Sequence, residues 1–179
     1  SEMCIRDRKV AYLDYYHVIK NKYHMEADKQ NVFIIGTPNH GNMGDQAIWY
    51  ATQKLLEKYF MNANVVDVDM SDFETDIEGI AHLIQNQDIL ILQGGGNFGN
   101  YYMDDEMIRR SVISRFKNNR IIMFPQTVYF SRDKEGEEEL KRSVSIYNKN
   151  KNLILIARDA ESFECLKANF TNDMYMLPD

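Results

Sequence analysis

Asp88-Ile89-Leu90-Ile91-Leu92-Gln93 runs directly into Gly94-Gly95-Gly96-Asn97-Phe98-Gly99, and the reading of that junction decides the fold. The apolar run is short, unbroken and rich in isoleucine, as in a strand covered by helices on both faces. Gly94 to Gly99 reads as a glycine-rich turn. Arg120 to Pro125 (with Ile-Ile-Met-Phe) and Leu153 to Arg158 (with Leu-Ile-Leu-Ile) have the same unbroken character, and these three strands are expected at the centre of a sheet. Val32 to Gly36, Asn64 to Asp69 and Met174 to Pro178 complete a set of six.

Between the strands the apolar period lengthens to about 3.6, the helical repeat. Ile48, Ala51, Leu55 and Tyr59 are read as one helix face, and Ile77, Ile80, Ala81 and Ile84 as the next. Ile108, Val112 and Phe116 form a third face, on a helix that opens with Asp104, Asp105 and Glu106 at its positive dipole end. Leu140, Val144 and Tyr147, then Phe163, Leu166 and Phe170, supply two more. The acidic run from Lys134 to Glu139 reads as a solvated helix face. Strands alternating with helices predict a doubly wound α/β domain with a parallel sheet over residues 32–179. Residues 1–31 are set apart as a leader with a helix from Val10 to Lys20.

Composition narrows the function classes. The chain has 179 residues, 44% of them hydrophobic, which suits one domain with one core. A formal charge of -6 argues against nucleic acid or an anionic membrane as partner. No apolar run approaches the roughly 20 residues of a membrane span. The two cysteines, Cys4 and Cys165, have neither metal nor disulfide spacing, so a cytoplasmic setting without a metal is expected.

Right-handed crossovers bring every strand-to-helix turn to one edge of such a sheet, where ligands bind. The first turn holds His40, Asn42 and Asp45, with His40 and Asp45 available for proton transfer and Asn42 suited either to a ligand or to capping the next helix. Gly94, Gly96 and Gly99 match G-x-G-x-x-G formally, but they follow the third strand, and Asp104 and Asp105 come too soon to be a ribose-binding acid. Asn97 beside Phe98, Tyr101 and Tyr102 suits a sugar, whose C–H face stacks on rings while amides meet its hydroxyls. Gln126 and Thr127 close the fourth turn, and Arg158, Glu161 and Ser162 the fifth. Arg158 needs an anion there: Asp159 or Glu161, or a ligand carboxylate or phosphate.

Taken in order, Gly41-Asn42-Met43-Gly44-Asp45-Gln46-Ala47-Ile48, then Gly94 to Gly99, then Phe124-Pro125-Gln126-Thr127, then Ala157-Arg158-Asp159 with Glu161-Ser162, the pattern resembles the polysaccharide pyruvyl transferases. The resemblance implies a Rossmann-like domain similar to the N-terminal half of a GT-B fold. It implies transfer of the enolpyruvyl unit of phosphoenolpyruvate, as a pyruvate ketal, to a sugar of an exopolysaccharide or cell-wall precursor, lipid-linked or polymeric. Phosphoenolpyruvate would be a donor substrate and no cofactor is implied. Peripheral membrane association would come only through a lipid-linked acceptor. The residues expected to touch substrate are Asn42, Gly94, Gly95, Gly96, Asn97, Phe98, Tyr101, Gln126, Thr127, Arg158, Glu161 and Ser162, with Asp45 and His40 as the catalytic pair. Donor-gripping basic residues and a catalytic histidine would come from a C-terminal domain beyond Asp179, so these residues alone would be inactive. Asn100 departs from the pattern, which more often has Asp there. The same turns also suit a GT-B glycosyltransferase using a nucleotide sugar, or a non-catalytic sugar-binding fragment.

Overall fold

The computed structural model describes residue 15 and residues 17–26 and 28–179. Seven parallel strands form one sheet: β1 (Asn31–Thr37), β2 (Asn64–Asp69), β3 (Ile89–Leu92), β4 (Gly95–Gly99), β5 (Arg120–Tyr129), β6 (Leu153–Ala157) and β7 (Asp173–Met176). Their order is β2-β1-β3-β5-β6-β7, with β4 also paired to β5. The chain works outward in one direction from β1 to β2 and in the other from β3 to β7. The order therefore reverses between β1 and β3, and a crevice opens outside the carboxyl ends of that pair.

Helices α1 (Met43–Tyr59), α2 (Met70–Leu83), α3 (Met103–Arg115), α4 (Lys134–Tyr147) and α5 (Ala160–Asn169) fill the crossovers. Alternation along β1 sorts the core into two layers, since successive side chains point to opposite faces. Val32 and Ile34 join Leu56 of α1 and Ile91 on one face, while Phe33 and Ile35 join the larger cluster on the other. The expected α1 face is corrected: Leu55 and Tyr59 are exposed, and Thr52 and Leu56, four residues apart, are what it buries. Of the predicted Val10–Lys20 helix, residues 15 and 17–20 are helical and the others lie outside the described residues. Ile19 and Tyr23 are buried, and Ile19 packs against Gly79 of α2. Among the described residues, no helix is long and apolar enough to cross a membrane.

The glycine-rich segment is not a turn. Leu92 pairs with Met123 and Gly95 with Gln126 at an unchanged offset, so β4 is the continuation of β3 along β5 after a jog at Gln93 and Gly94. Gly99 makes the approach feasible, with φ at +132° and Tyr129 O only 1.7 Å from where a Cβ would stand. Asn100 then clips the strands together: its amide donates to Ser131 Oγ at 2.8 Å and its oxygen accepts from Ser131 N–H at 2.8 Å. An aspartate would offer only the second of these bonds, so an amide suits this position.

Candidate functional site

A cleft of about 730 Å³ lies at the reversal between β1 and β3, within the range of small-molecule sites. One wall is the β1–α1 connection, with Thr37, His40, Asn42 and Asp45; the other is β4 and the start of α3, with Gly96, Asn97, Tyr101, Asp104, Asp105 and Arg109. Gln93 and Gly94 form part of its floor.

Local structure sets each group. Asn42 is the N-cap of α1, its side-chain oxygen accepting from Gly44 N–H at 2.9 Å, so its acceptor is committed to the helix. His40 Nδ1 accepts from Asn42 N–H at 3.4 Å, and its Nε2 stands 3.8 Å from Asp45 Oδ2. With Nδ1 accepting, Nε2 is the nitrogen that carries a hydrogen toward Asp45. Across the cleft, Tyr101 is 73% exposed and meets Tyr102 and Tyr129 edge to face, and Tyr101 and Tyr102 give the rim two phenol rings.

Asp105, which the sequence assigns only to the helix dipole, also lines the cleft. Burial pushes its pKa up, Asp104 and Asp45 add to this, and the Arg109 charge and a hydrogen bond from the Asn97 side chain oppose it without prevailing. A carboxyl with a raised folded pKa stabilises the fold while protonated, below its ordinary value, and loses that contribution as pH rises through the folded value. Asp105→Asn is therefore expected to raise the melting temperature at neutral pH, with the gain vanishing below the ordinary carboxylate range. Thermal melts of both proteins across that range check it, and an unchanged or lowered neutral-pH melting temperature contradicts it.

Gln93 is a second site residue that no motif marks. Its backbone N–H reaches Ile35 O at 3.0 Å, yet both atoms of its side-chain amide are buried and lack a partner among the described residues. A buried amide in that state is costly to the fold.

The cleft is poor in free positive charge. Three acids occupy the first turn of α3, where a bound anion would otherwise benefit from the helix dipole. Among the described residues no group of three His, Cys, Asp or Glu is arranged to hold a metal ion.

A family model for polysaccharide pyruvyl transferases matches residues 42–179, which include the cleft's α1, β4 and α3 groups. The chain belongs to the polysaccharide pyruvyl transferase family. It is 38% identical over 154 residues to general stress protein 30 of Bacillus subtilis, covering 85% of this chain and 44% of that protein. It is 33% identical over 164 residues to pyruvyl transferase 1 of Schizosaccharomyces pombe, covering 87% of this chain and 39% of that one. The chain thus spans less than half the length of these relatives.

Within this family member, not all the residues expected at a site come together. His40, Asn42, Asp45, Gly94, Gly96, Asn97 and Tyr101 line the cleft. Phe98 does not: expected to be exposed, it is 1% exposed and packs against Phe130, Tyr147 and Phe170. A strand, unlike a turn, sends neighbouring side chains to opposite faces, so Asn97 faces the cleft and Phe98 the core. Gly95 is buried beside β5 and does not line the cleft.

The residues of the fourth and fifth turns form a second group, outside the lining of this cleft. Gln126 is fully buried and donates to Gln93 O at 2.6 Å, supporting the floor from beneath. Ser162 is buried too, its hydroxyl accepting from Val128 N–H at 2.8 Å and donating to Asp159 at 2.9 Å. Thr127 Oγ1 donates to Asp159 and accepts from Arg158 Nε. Arg158 takes neither Asp159 nor Glu161 as its ion-pair partner; Nη1 pairs with Asp179 at 2.7 Å. Burial alone would raise the Asp159 pKa, but hydrogen bonds from Ser162 and Thr127, with the Arg158 charge, bring it below the usual carboxylate range. Glu161 stays exposed on the first turn of α5.

Proposed function

We propose that this chain is the acceptor-binding half of an enzyme that transfers the enolpyruvyl unit of phosphoenolpyruvate to a sugar as a pyruvate ketal. The observation that carries the reading, beside family membership, is the character of the cleft. Its polar groups are mainly amides and carboxylates, with the His40 imidazole, and its rim is phenolic. Such a surface suits a neutral polyol. A trianionic donor would meet Asp45, Asp104 and Asp105 there, so the donor's cationic contacts belong to a second domain, in a GT-B-like arrangement, on a longer chain of the kind its relatives have. Asn97 and Tyr101 hold the acceptor, and His40 with Asp45 hold a proton on the wall facing Asp105. The acceptor is a sugar of a surface polysaccharide or its precursor.

The test uses a full-length protein containing this chain, a panel of p-nitrophenyl hexosides, and either phosphoenolpyruvate or nucleotide sugars. Phosphate release with formation of an acid-labile ketal is the expected result. Glycosyl transfer from a nucleotide sugar, with no reaction of phosphoenolpyruvate, would replace this reading with that of a glycosyltransferase. Tyr101→Ala should raise the acceptor KM about 5-fold, the loss of roughly 1 kcal/mol of ring contact. Its folding stability should stay within about 0.5 kcal/mol, because the ring is exposed.

A further inference from the structure

Arg109 is a cation held beneath the cleft wall, 5% exposed. Its Nη1 donates to Glu106 at 3.4 Å and its guanidinium lies 5.9 Å from the Phe98 ring centroid. Its Nη2 donates to the side-chain oxygen of Asn97. That bond decides which way the Asn97 amide faces. With the oxygen occupied, the N–H groups are the part of the amide left for the cleft, whose wall Asn97 shares with Asp105, and the Asn97 side chain favours the charged form of that carboxyl. A chain of contacts thus runs from the interior to the cleft wall, Glu106 to Arg109 to Asn97, and Asp105 lies on that same wall.

We propose that Asp105 takes the proton of the attacking sugar hydroxyl and that Arg109, acting through Asn97, is a positioning residue that fixes where it does so. This rests on the pyruvyl-transfer reading above. The charged and titratable groups facing Asp105 are Arg109 and Asp104 on its own helix and Asp45 on α1, with His40 on the cleft wall formed by the β1–α1 connection. In the step, the hydroxyl oxygen bonds to C2 of the enolpyruvyl unit while its proton passes to Asp105. C3 takes a proton from solvent, so the double bond becomes single. The C2–O bond to phosphate then breaks with its electrons on the phosphate and a second hydroxyl oxygen bonds to C2 in its place. That hydroxyl's proton and the one on Asp105 return to solvent, which supplies the proton the phosphate takes up. Asp105 ends as it began.

Two measurements test the proposal. In this chain, carbon-detected NMR titration of the Asp105 carboxyl should show an upward shift in Asn97→Ala, which loses a hydrogen bond favouring the charged form, and in Arg109→Lys, which loses the planar fork that orients Asn97. In the full-length protein, with phosphoenolpyruvate and the same hexosides, Asp105→Asn should lower kcat about 10²–10⁴-fold while acceptor KM changes less than about 3-fold. Asn97→Ala should lower kcat about 10-fold and move the acid limb of the pH profile upward with the titration. Asn97→Ala leaves the Glu106 contacts in place, so it decides the matter should Arg109→Lys fail to fold. Unchanged Asp105 titration in Asn97→Ala, or undiminished kcat in Asp105→Asn, overturns the proposal. If wild-type protein uses only nucleotide sugars, pyruvyl transfer fails as a reading, and the titration then decides the Arg109–Asn97–Asp105 linkage by itself.

Discussion

Glu106→Ala is expected to destabilise the chain by about 3–5 kcal/mol, because it removes one partner from a buried set of ions. Glu106 is 0% exposed and accepts from four groups: Arg109, Arg110, the Ser143 hydroxyl and, at 2.9 Å, the Tyr147 hydroxyl. Burial, then the Glu106 charge, pushes the Tyr147 pKa far up, so its phenol remains a donor at any pH the fold survives. Arg110 keeps Glu139, at 2.6 Å. Arg109 would keep no carboxylate within ion-pair distance among the described residues, and that uncompensated charge sets the size of the loss. Urea denaturation followed by far-UV circular dichroism measures it. Glu106→Gln, which keeps an acceptor for Tyr147 but loses the charge, should fall between wild type and Glu106→Ala. A loss below about 1 kcal/mol in Glu106→Ala would mean that Arg109 reaches water through the cleft, and that it does not anchor Asn97.

Glu106 and Arg109 also show how far the sequence could be read. The strands were legible where apolar runs were unbroken, because a residue buried on both faces leaves no room for polar alternation. β4 was not, because three glycines in five residues argue against a strand. The segment is extended for a tertiary reason: it carries β3 onward along β5, and a backbone approach that only glycine allows substitutes for strand propensity. The same cause buries Phe98, because a strand position alternates inward where a turn would expose it. On α1 the apolar residues Leu55 and Tyr59 outweighed Thr52 in the pattern, although the helix buries Thr52.

For the site, the edge of the sheet and its first and third connections were readable, and they meet at the cleft. Asp105 and Arg109 were hidden by their charge, which on a helix ordinarily marks solvent. A signal was present nonetheless. Arg109 stands three and seven residues before Val112 and Phe116, on the face that α3 buries, and Glu106 stands seven before the buried Ile113. Opposite charges three apart on an apolar stripe read as a buried pair rather than a solvated one. The buried Glu139, in the run expected to be solvated, carries the same message from α4.

Gly99→Ala is expected to cost on the order of 4 kcal/mol or more and to leave little soluble protein at 37 °C. The methyl group would stand 1.7 Å from Tyr129 O and 2.6 Å from its carbonyl carbon, so relief requires moving backbone, not a flexible side chain. The φ of +132° is strained for any L side chain. Moving β4 away would break its pairing with Tyr129 and the Asn100–Ser131 clip, and draw Phe98 from its contacts with Tyr147 and Phe170. Gly41→Ala is the control, because nothing lies within 4 Å of its Cβ position; its stability should stay within about 0.5 kcal/mol of wild type. Thermal melts and soluble yield read both. A Gly99→Ala protein melting within a few degrees of Gly41→Ala would contradict the path of β4, and with it the placement of Asn97 on the cleft wall. The glycine therefore serves the chemistry indirectly: it lets the strand run far enough along β5 for alternation to send Phe98 inward and Asn97 toward Asp105.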